Sequence, residues 1–527
     1  MLKEMLDADS IIKRYKQAQE RKANWENTYK EALSYAAPQR EDFDYREKGS
    51  RKDNTDIVFD STAQSALNKF ASNMQSSLVP PMKKWINLAS GYMVPEEDRS
   101  DNDKQLEKIR DAMFSAIQSS NFDTQISEAF LGLGLGNGVM LVQPGEDSLL
   151  KFTAIPESQC YFEEGPNGSV GTVFRRHCLA GRNIEGTWPD AALSKELSSQ
   201  IDSKPEKELD FIEVTLKCKI NKKFVEGDDV ILREIDGYKY FVIHEKSKEI
   251  IVEREQESSP WVVFRWSVMP GEVYGRGPVL SALADIKTLN KTKELILQNA
   301  SMAVAGAWTV ADDGVMSLEN IQIAPGALIP VSSNPGAVNG PTIAPLRSGA
   351  DFSVAQLVIQ ELQRSINDMM FADPLGPIDL PVKTATEISV RQNELSKRIG
   401  SAFGRLQYEL IGPLVDRILY LLEEAGVVDL SGFKVDGNTI SIEHISPLAM
   451  AQDQEELMAM MRYAETIAQN LGPQAVSTMI KPEQFAKKLA QLLNVPKDIV
   501  PTDAEFKQMK EAAGVAAVQN HQAGVGG

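Results

Sequence analysis

The sequence predicts a mainly α, α+β fold, and three observations carry that prediction. Apolar residues recur at helical spacing in two long segments, near 277–303 and 350–372. Residues 150–266 alternate with the period of strands instead. The stretch between the two helical segments is rich in Gly and Pro with short apolar runs such as IQIAPGALIPV, which favours small strands and turns. At 527 residues with 42% apolar side chains, the chain exceeds what one core usually serves, so two to four regions are expected.

From the N-terminus, residues 8–36 set Ile12, Tyr15, Ala18, Trp25, Tyr29 and Leu33 among many charged side chains, as a largely exposed amphipathic helix does, and Pro38 follows its end. The charged residues 39–54 read as a loop. A second helix opens near Asp60 or Ser61, where Ser61 and Gln64 have capping-box spacing, and Pro80 and Pro81 stop it after Leu78. Trp85, Ile86 and Leu88 lead into a short strand, and residues 101–131 are helical again. LGLGLGNGVMLVQPG then reads as a helix end turning through Asn137 and Gly138 into a strand over 139–142. The strands VGTVFRRHCL, LDFIEVTLKCKI, YKYFVIHE, EIIVERE and PWVVFRWSV follow, interrupted by a Ser-rich helical stretch near 189–203.

In the first long helix Val279, Leu283, Ile286, Leu289, Ile296 and Ala300 share one face, while Lys287, Lys291, Glu294 and Gln298 share another. In the second, Val354, Val358, Leu362, Ile366 and Met369 oppose Glu361, Arg364 and Asp368. ADPLGPIDLPVK ends it with three prolines and a glycine, and Thr384 with Glu387 opens a very long helix with a kink expected at Gly412 and Pro413. A hairpin turning at Asp436–Asn438 comes next. A Met-rich helical region spans 448–494, and the tail AAGVAAVQNHQAGVGG is expected to be disordered.

The net charge of −18 and pI near 4.9 argue against tight phosphate binding, which needs clustered cations. No run approaches the roughly 18–20 apolar residues a bilayer span needs, and MLKEMLDADS lacks signal-peptide zones, so a soluble chain that is not secreted by that route is expected. Cys160, Cys178 and Cys218 are odd in number and widely spaced, which suits buried or idle thiols rather than a zinc or redox site. Gly132, Gly134, Gly136 and Gly138 suggest a phosphate loop, yet helix precedes them and strand follows, the reverse of a dinucleotide site. Close packing and a turn are expected there. No Walker A loop occurs, and His177, His244, His444 and His521 are isolated, so the sequence predicts neither catalytic residues, nor a metal site, nor a cofactor. Tyr274, Gly275, Arg276, Gly277 and Pro278 make a tight polar turn into the first long helix, with Pro278 suited to its first position.

Four segments, spread in order over residues 57–452, resemble the head-to-tail connecting (portal) proteins of T7-like and related short-tailed double-stranded DNA bacteriophages. They are IVFDSTAQSALNKFASNMQSSLVPPMKKWINL, RWSVMPGEVYGRGPVLSALADIKTLNK, VKTATEISVRQNE and ISPLAMAQ. The resemblance implies a homo-oligomeric ring, usually of about twelve subunits, at one capsid vertex of the virion, assembled in the host cytoplasm. Double-stranded DNA would pass its channel during packaging and ejection without sequence-specific contacts. Major capsid and scaffolding proteins, terminase, tail adaptor or nozzle proteins and internal core proteins are the partners implied, with no membrane. The implied portal fold has a wing, two-helix stem, small β-containing clip, tunnel loop and helical crown. By position these are wing 1–276 with 384–445, stem 277–303 with 350–372, clip 304–349, tunnel loop 373–383, crown 446–500 and flexible tail 501–527. The channel loop would carry Asp373, Pro374, Asp379 and Lys383, and the stem faces would offer Lys287, Lys291, Glu361 and Arg364 to the lumen. Another virion structural protein or tail adaptor would share the acidity and helix content, and a metal-dependent nuclease would need carboxylate clusters that the sequence does not display.

Overall fold

A computed structural model describes residues 7–40, 55–95, 99–226, 229–305, 308–311, 328–331, 343–345, 352–372, 400, 402–430, 440–444, 447–471 and 482–493. In chain order the helices and strands begin α1 (Ala8–Ala36), α2 (Thr62–Leu78), β1 (Ile86–Ser90), α3 (Arg99–Gln118), α4 (Phe122–Leu135), β2 (Asn137–Gln143), β3 (Lys151–Ala154), β4 (Cys160–Glu164) and β5 (Val170–Ala180). Then come α5 (Ile184–Thr187), α6 (Lys195–Ser203), β6 (Glu208–Glu226), β7 (Asp229–His244), β8 (Glu249–Gln256) and β9 (Trp261–Arg265). The remainder is α7 (Pro278–Ala305), β10 (Trp308–Ala311), β11 (Leu328–Val331), β12 (Ile343–Pro345), α8 (Phe352–Met369), α9 (Gly412–Glu424), β13 (Ile440–His444), α10 (Pro447–Leu471) and α11 (Pro482–Leu492). Helix and strand are mixed as the composition of the pattern predicts. No helix among the described residues is long and apolar enough to cross a membrane.

The chain divides into two compact units. The first takes Met1–Asn24, Ala71–Arg276 and Pro374–Gly527; the second takes Trp25–Phe70 and Gly277–Asp373.

The first unit is built on an antiparallel sheet in the order β4-β5-β6-β7-β8. Alternation along the strands gives it two apolar faces, and each is covered. On one, Ile11, Ile12, Tyr15 and Ala18 of α1 pack against Tyr161, Phe174, Ile212, Val214, Leu216, Phe241 and Ile243. On the other, Ile184, Trp188 and Leu197 cover Leu209, Phe211, Tyr240, Val242 and Ile251. Burial of each large side chain contributes about 1.5–3 kcal/mol, which is why the second face needs the 184–201 segment as a lid. Within it Trp188 donates its indole N–H to the Tyr240 hydroxyl at 3.2 Å, and that hydroxyl donates to Glu213 at 2.7 Å. A smaller sheet, β3-β2-β9, is buried along almost all of β2, and β1 pairs with β13 across more than three hundred residues of sequence.

Several expectations are corrected in detail. The helix over 101–131 is two helices, because Ser119–Asn121 break it and Asn121 turns its side chain to Phe152, accepting from the backbone N–H at 2.9 Å and donating to the carbonyl at 2.8 Å. The turn after α4 lies at Gly136 rather than at Asn137 and Gly138, which already belong to β2. Strands β3 and β4 went unread, being short and flanked by polar residues. The start of α2 is held by Asp60, whose carboxylate accepts from the Thr62 N–H at 2.8 Å. At Gly412–Pro413 the irregularity is a single π turn over Gln407–Ile411, with the Gly412 N–H reaching back five residues to the Gln407 carbonyl. Pro413 has no N–H to offer the Glu409 carbonyl, so the ladder widens just before it. In α1 the surprise is Lys22, which is fully buried, donates to the carbonyls of Glu157 and Cys160, and sits 4.7 Å from the Tyr161 ring. Burial pushes the Cys160 thiol up to about 12, so it is inert as expected.

The second unit holds α7 and α8 with a three-stranded sheet of order β11-β10-β12, in which β10 runs parallel to β11 and antiparallel to β12. The strands expected in the Gly- and Pro-rich insert are therefore present. The apolar face of α7 is buried at Val279, Ala282, Ile286 and Leu289 and only half-buried from Ile296 onward. Among the described residues of α8 Ile366 is buried, as is Met370 just past its end; Met369, expected on the apolar face, is 37% exposed and Val358 41%. The hairpin turn at Asp436–Asn438, the loop 373–383, the capping box at Thr384 and the tail 501–527 lie outside the described residues.

Candidate functional site

The turn that leads into α7 is locked by backbone contacts within the first unit. Tyr274 is buried, and its hydroxyl accepts from the Phe162 N–H at 3.1 Å. The Gly275 N–H donates to Asn137 Oδ1 at 2.7 Å, the Arg276 N–H to the Ser267 carbonyl at 2.7 Å, and the Trp266 N–H to the Gly136 carbonyl at 3.0 Å. A Cβ on Gly275 would stand 2.3 Å from the Gly136 carbonyl oxygen, and one on Gly136 would stand 2.0 Å from that of Gly275. Two chain segments touch backbone to backbone here, so both positions require glycine for want of room. Gly138 is likewise pressed on the Phe264 ring. Gly136 and Gly138 thus serve close packing, as the order of the alternating glycines predicted. Arg276 itself reaches solvent and pairs with Glu272 at 2.6 Å, while Pro278 opens α7.

Beside this turn stands a buried ion pair that sequence reading missed. The Arg265 guanidinium is 4% exposed and grips Glu409 of the π turn at 2.6 and 3.1 Å, while also donating to the carbonyls of Val273 at 3.0 Å and Gly168 at 2.9 Å. Buried charges survive only when so fully paired. The π turn places Glu409 for this contact, and Pro413 four residues later was the signal available.

Within the second unit the polar residues of α7 tie neighbouring segments together. Asn290 accepts from the Phe59 N–H at 2.7 Å and donates to the Ile57 carbonyl at 2.8 Å. Asp60, 5% exposed, meets Lys293 at 3.2 Å and Gln363 of α8 at 3.1 Å, and Ser365 donates to Asp285 at 2.7 Å. Burial alone would raise Asp60, but the Thr62 and Lys293 hydrogen bonds hold its carboxyl below the ordinary carboxylate range. Of the residues expected to line a lumen, Lys287 is paired with Glu31 at 2.6 Å and Lys291 with Glu294 at 2.8 Å, both exposed. Glu361 and Arg364 are exposed on α8. Asp373, Pro374, Asp379 and Lys383 lie outside the described residues. Apolar side chains are exposed on the same two helices: Leu295 at 47%, Leu297 at 52% and Val304 at 90% on α7, and Leu357 at 68% on α8. Among the described residues, no three His, Cys, Asp or Glu side chains gather in a way that could hold a metal ion.

Residues 8–500 match the family model described as bacteriophage head to tail connecting protein, and the chain belongs to that family. It is 22% identical over 520 residues to the "Probable portal protein" of Bordetella phage BPP-1, covering 94% of this chain and 90% of that one. It is 24% identical over 472 residues to the portal protein of Salmonella phage epsilon15, covering 82% and 76%, and 22% identical over 394 residues to that of Enterobacteria phage T3, covering 71% and 68%. A solved structure, the neck of an empty gene transfer agent particle, aligns over 77% of this chain and 88% of that one at 10% identity with a TM-score of 0.33, too low to bear on the fold.

Proposed function

We propose that this head-to-tail connecting protein is the portal subunit of its phage, closing with copies of itself into the ring through which the genome enters and leaves the capsid. The observation that carries the reading is the exposed apolar side of α7 and α8, where Leu295, Leu297, Val304 and Leu357 stand in water although both helices are long and regular. Such helices bury their apolar sides against neighbours, and a ring of identical subunits supplies one on each side.

In this reading 277–303 and 350–372 form the stem, 304–349 the clip where terminase docks during packaging and tail proteins dock afterwards, 446–500 the crown, and 1–276 with 384–445 the wing. Lys287, Lys291, Glu361 and Arg364 face the lumen, and the 373–383 loop projects into it with Lys383 as its single cation. A net charge of −18 suits a channel that must not hold phosphate, because each neutralised phosphate adds counterion-release attraction. The subunit shapes a passage and carries out no chemistry of its own.

Native mass spectrometry of the purified chain tests the ring directly: a closed oligomer many times the 58.2 kDa subunit is expected, and a monomer at every accessible concentration sinks the reading. Lys383→Glu should alter DNA retention or packaging while leaving that oligomer intact. A Lys383→Glu phage that packages and holds DNA as the parent does removes the loop from the channel.

A further inference from the structure

Helices α7 and α8 pack together with numbering that rises along one and falls along the other: Asp285 accepts from Ser365, and Asp60 joins Lys293 to Gln363. Each helix keeps a stripe of four exposed residues on the side opposite its buried ones. On α7 the buried Ala282, Ile286 and Leu289 are backed by Ala284, Thr288, Lys291 and Leu295. On α8 the buried Ile366, and Met370 just past its end, are backed by Leu357, Glu361, Arg364 and Asp368. At about 100° per residue, steps of four, three and four hold each stripe on one line.

Because the two stripes share that spacing, laid antiparallel they match throughout: Leu295 with Leu357, Lys291 with Glu361, Thr288 with Arg364 and Ala284 with Asp368. Leucine meets leucine, and lysine meets glutamate. Thr288 gives its hydroxyl hydrogen to the Ala284 carbonyl at 2.9 Å, which leaves the oxygen to accept from a guanidinium. Lys291 holds Glu294 at 2.8 Å, yet an ammonium has three N–H donors and so serves a second carboxylate.

We propose that α8 of one subunit lies along α7 of the next, with these four pairs as the seam. The inference rests on the ring reading and names the contact that closes it. The stripes are unlike and belong to different helices, so their contact is heterologous, the kind that propagates around a ring. Height along the ring axis gives an independent check. Rotation about that axis leaves every residue's height unchanged, so for helices that run along it α7 meets the neighbouring α8 at the level at which it meets its own. Within the chain Asp285 is level with Ser365, which puts Lys291 level with residue 359 and Leu295 with residue 355. Glu361 and Leu357 are each two residues from those levels, about 3 Å at the helical rise. The seam keeps Lys291, Glu361 and Arg364 where the joint between subunits opens on the lumen, and there the first two cancel each other's charge.

The test uses full-length variants at these exposed positions. Lys291→Glu and Glu361→Lys should each leave the monomer's circular-dichroism melt at the parent's value. Each should raise the concentration at which native mass spectrometry sees oligomers dissociate by about tenfold or more. The double variant, with the charges exchanged, should return to within about threefold of the parent, since the two changes are coupled only if the side chains meet. A second measurement fixes the geometry. A chain carrying Leu295→Cys alone, co-expressed with one carrying Leu357→Cys alone and oxidised with copper phenanthroline, should yield the mixed disulfide-linked pair. Either chain by itself should give no more than the parent, whose Cys160, Cys178 and Cys218 set the background. If a charge variant lowers the monomer's melt, the mixed disulfide decides. Losses that add in the double variant, or rings that form without the mixed disulfide, overturn the seam and leave the ring standing. A parent that never assembles removes the ring, and the seam with it.

Discussion

The five-stranded sheet and the pair of helices α7 and α8 answer the same physical demand in opposite ways. Each presents apolar surface that must leave water. The sheet finds its cover within its own unit, from α1 on one face and from Trp188 and its neighbours on the other. The helices bury Val279, Ala282, Ile286, Leu289 and Ile366 and add polar ties at Asp60, Asp285 and Asn290, yet they keep Leu295, Leu297, Val304 and Leu357 exposed. A self-covered region is stable at any concentration of protein. A region that waits for neighbours gains its stability by mass action, so its energetics should depend on concentration.

That contrast is broken most directly by one substitution in each region. Trp188→Ala removes a side chain that is 1% exposed, with its ring contact to Phe211 and its hydrogen bond to Tyr240, and should cost the first unit about 3–5 kcal/mol at every protein concentration. Leu297→Asp, at a position 52% exposed in the single chain, should leave the monomer's melting unchanged and suppress the oligomer. Chemical denaturation at two concentrations, read beside native mass spectrometry, separates the two. Equal effects of both changes on the monomer would erase the distinction.

The parts of the molecule that the sequence revealed were those governed by one local rule. The period of α1, the strands β5, β8 and β9, the stretches of β6 to residue 220 and of β7 from residue 238, the long run of α7 and the strand-bearing insert all follow from apolar spacing and from Gly and Pro positions. What stayed hidden depends on residues far apart in the chain. Nothing local tells that Asn137 will accept from Gly275, that Lys22 will be sealed beneath Glu157 and Cys160, or that Arg265 will find Glu409. The polar faces of the helices were read for a lumen, yet Lys287 and Lys291 each have an acidic partner whose position no periodicity discloses. Met369 and Met370 were separable only by the actual rotation of α8.

A titration sharpens the comparison on the side of the first unit. Burial, with Glu257 adding to it against Arg417, raises the Asp416 carboxyl from 3.8 to about 6. The folded chain therefore takes up a proton between about pH 4 and pH 6 that the unfolded chain has released, so this group's contribution to stability falls as pH rises through that window. Asp416→Asn should flatten the slope and raise stability at pH 7 by on the order of 1–3 kcal/mol. Melting temperatures from pH 4 to pH 7 provide the check, and a variant with the parent's slope would mean that Asp416 is better solvated than its surroundings suggest.

The smallest effect expected concerns Lys287, and it separates a structural role from a channel role. Its partner Glu31 lies on α1 at 2.6 Å, and both side chains are more than 40% exposed. Exposed pairs contribute about 0–1 kcal/mol because water screens them and two long side chains must be held in place. Lys287→Ala should therefore move the melt by no more than a degree or two in a unit of this size. The pair also bears on the lumen assignment, for a lysine neutralised by a glutamate offers passing phosphate little net attraction. Glu31→Gln releases that charge without shortening either side chain. If Lys287 faces the channel, Glu31→Gln should slow DNA release from filled particles while Lys287→Ala leaves it near the parent's rate, since the parent's lysine is already paired. Matching release rates for Glu31→Gln and the parent, with assembly intact, would take Lys287 out of the channel wall and leave it as one surface ion pair among many.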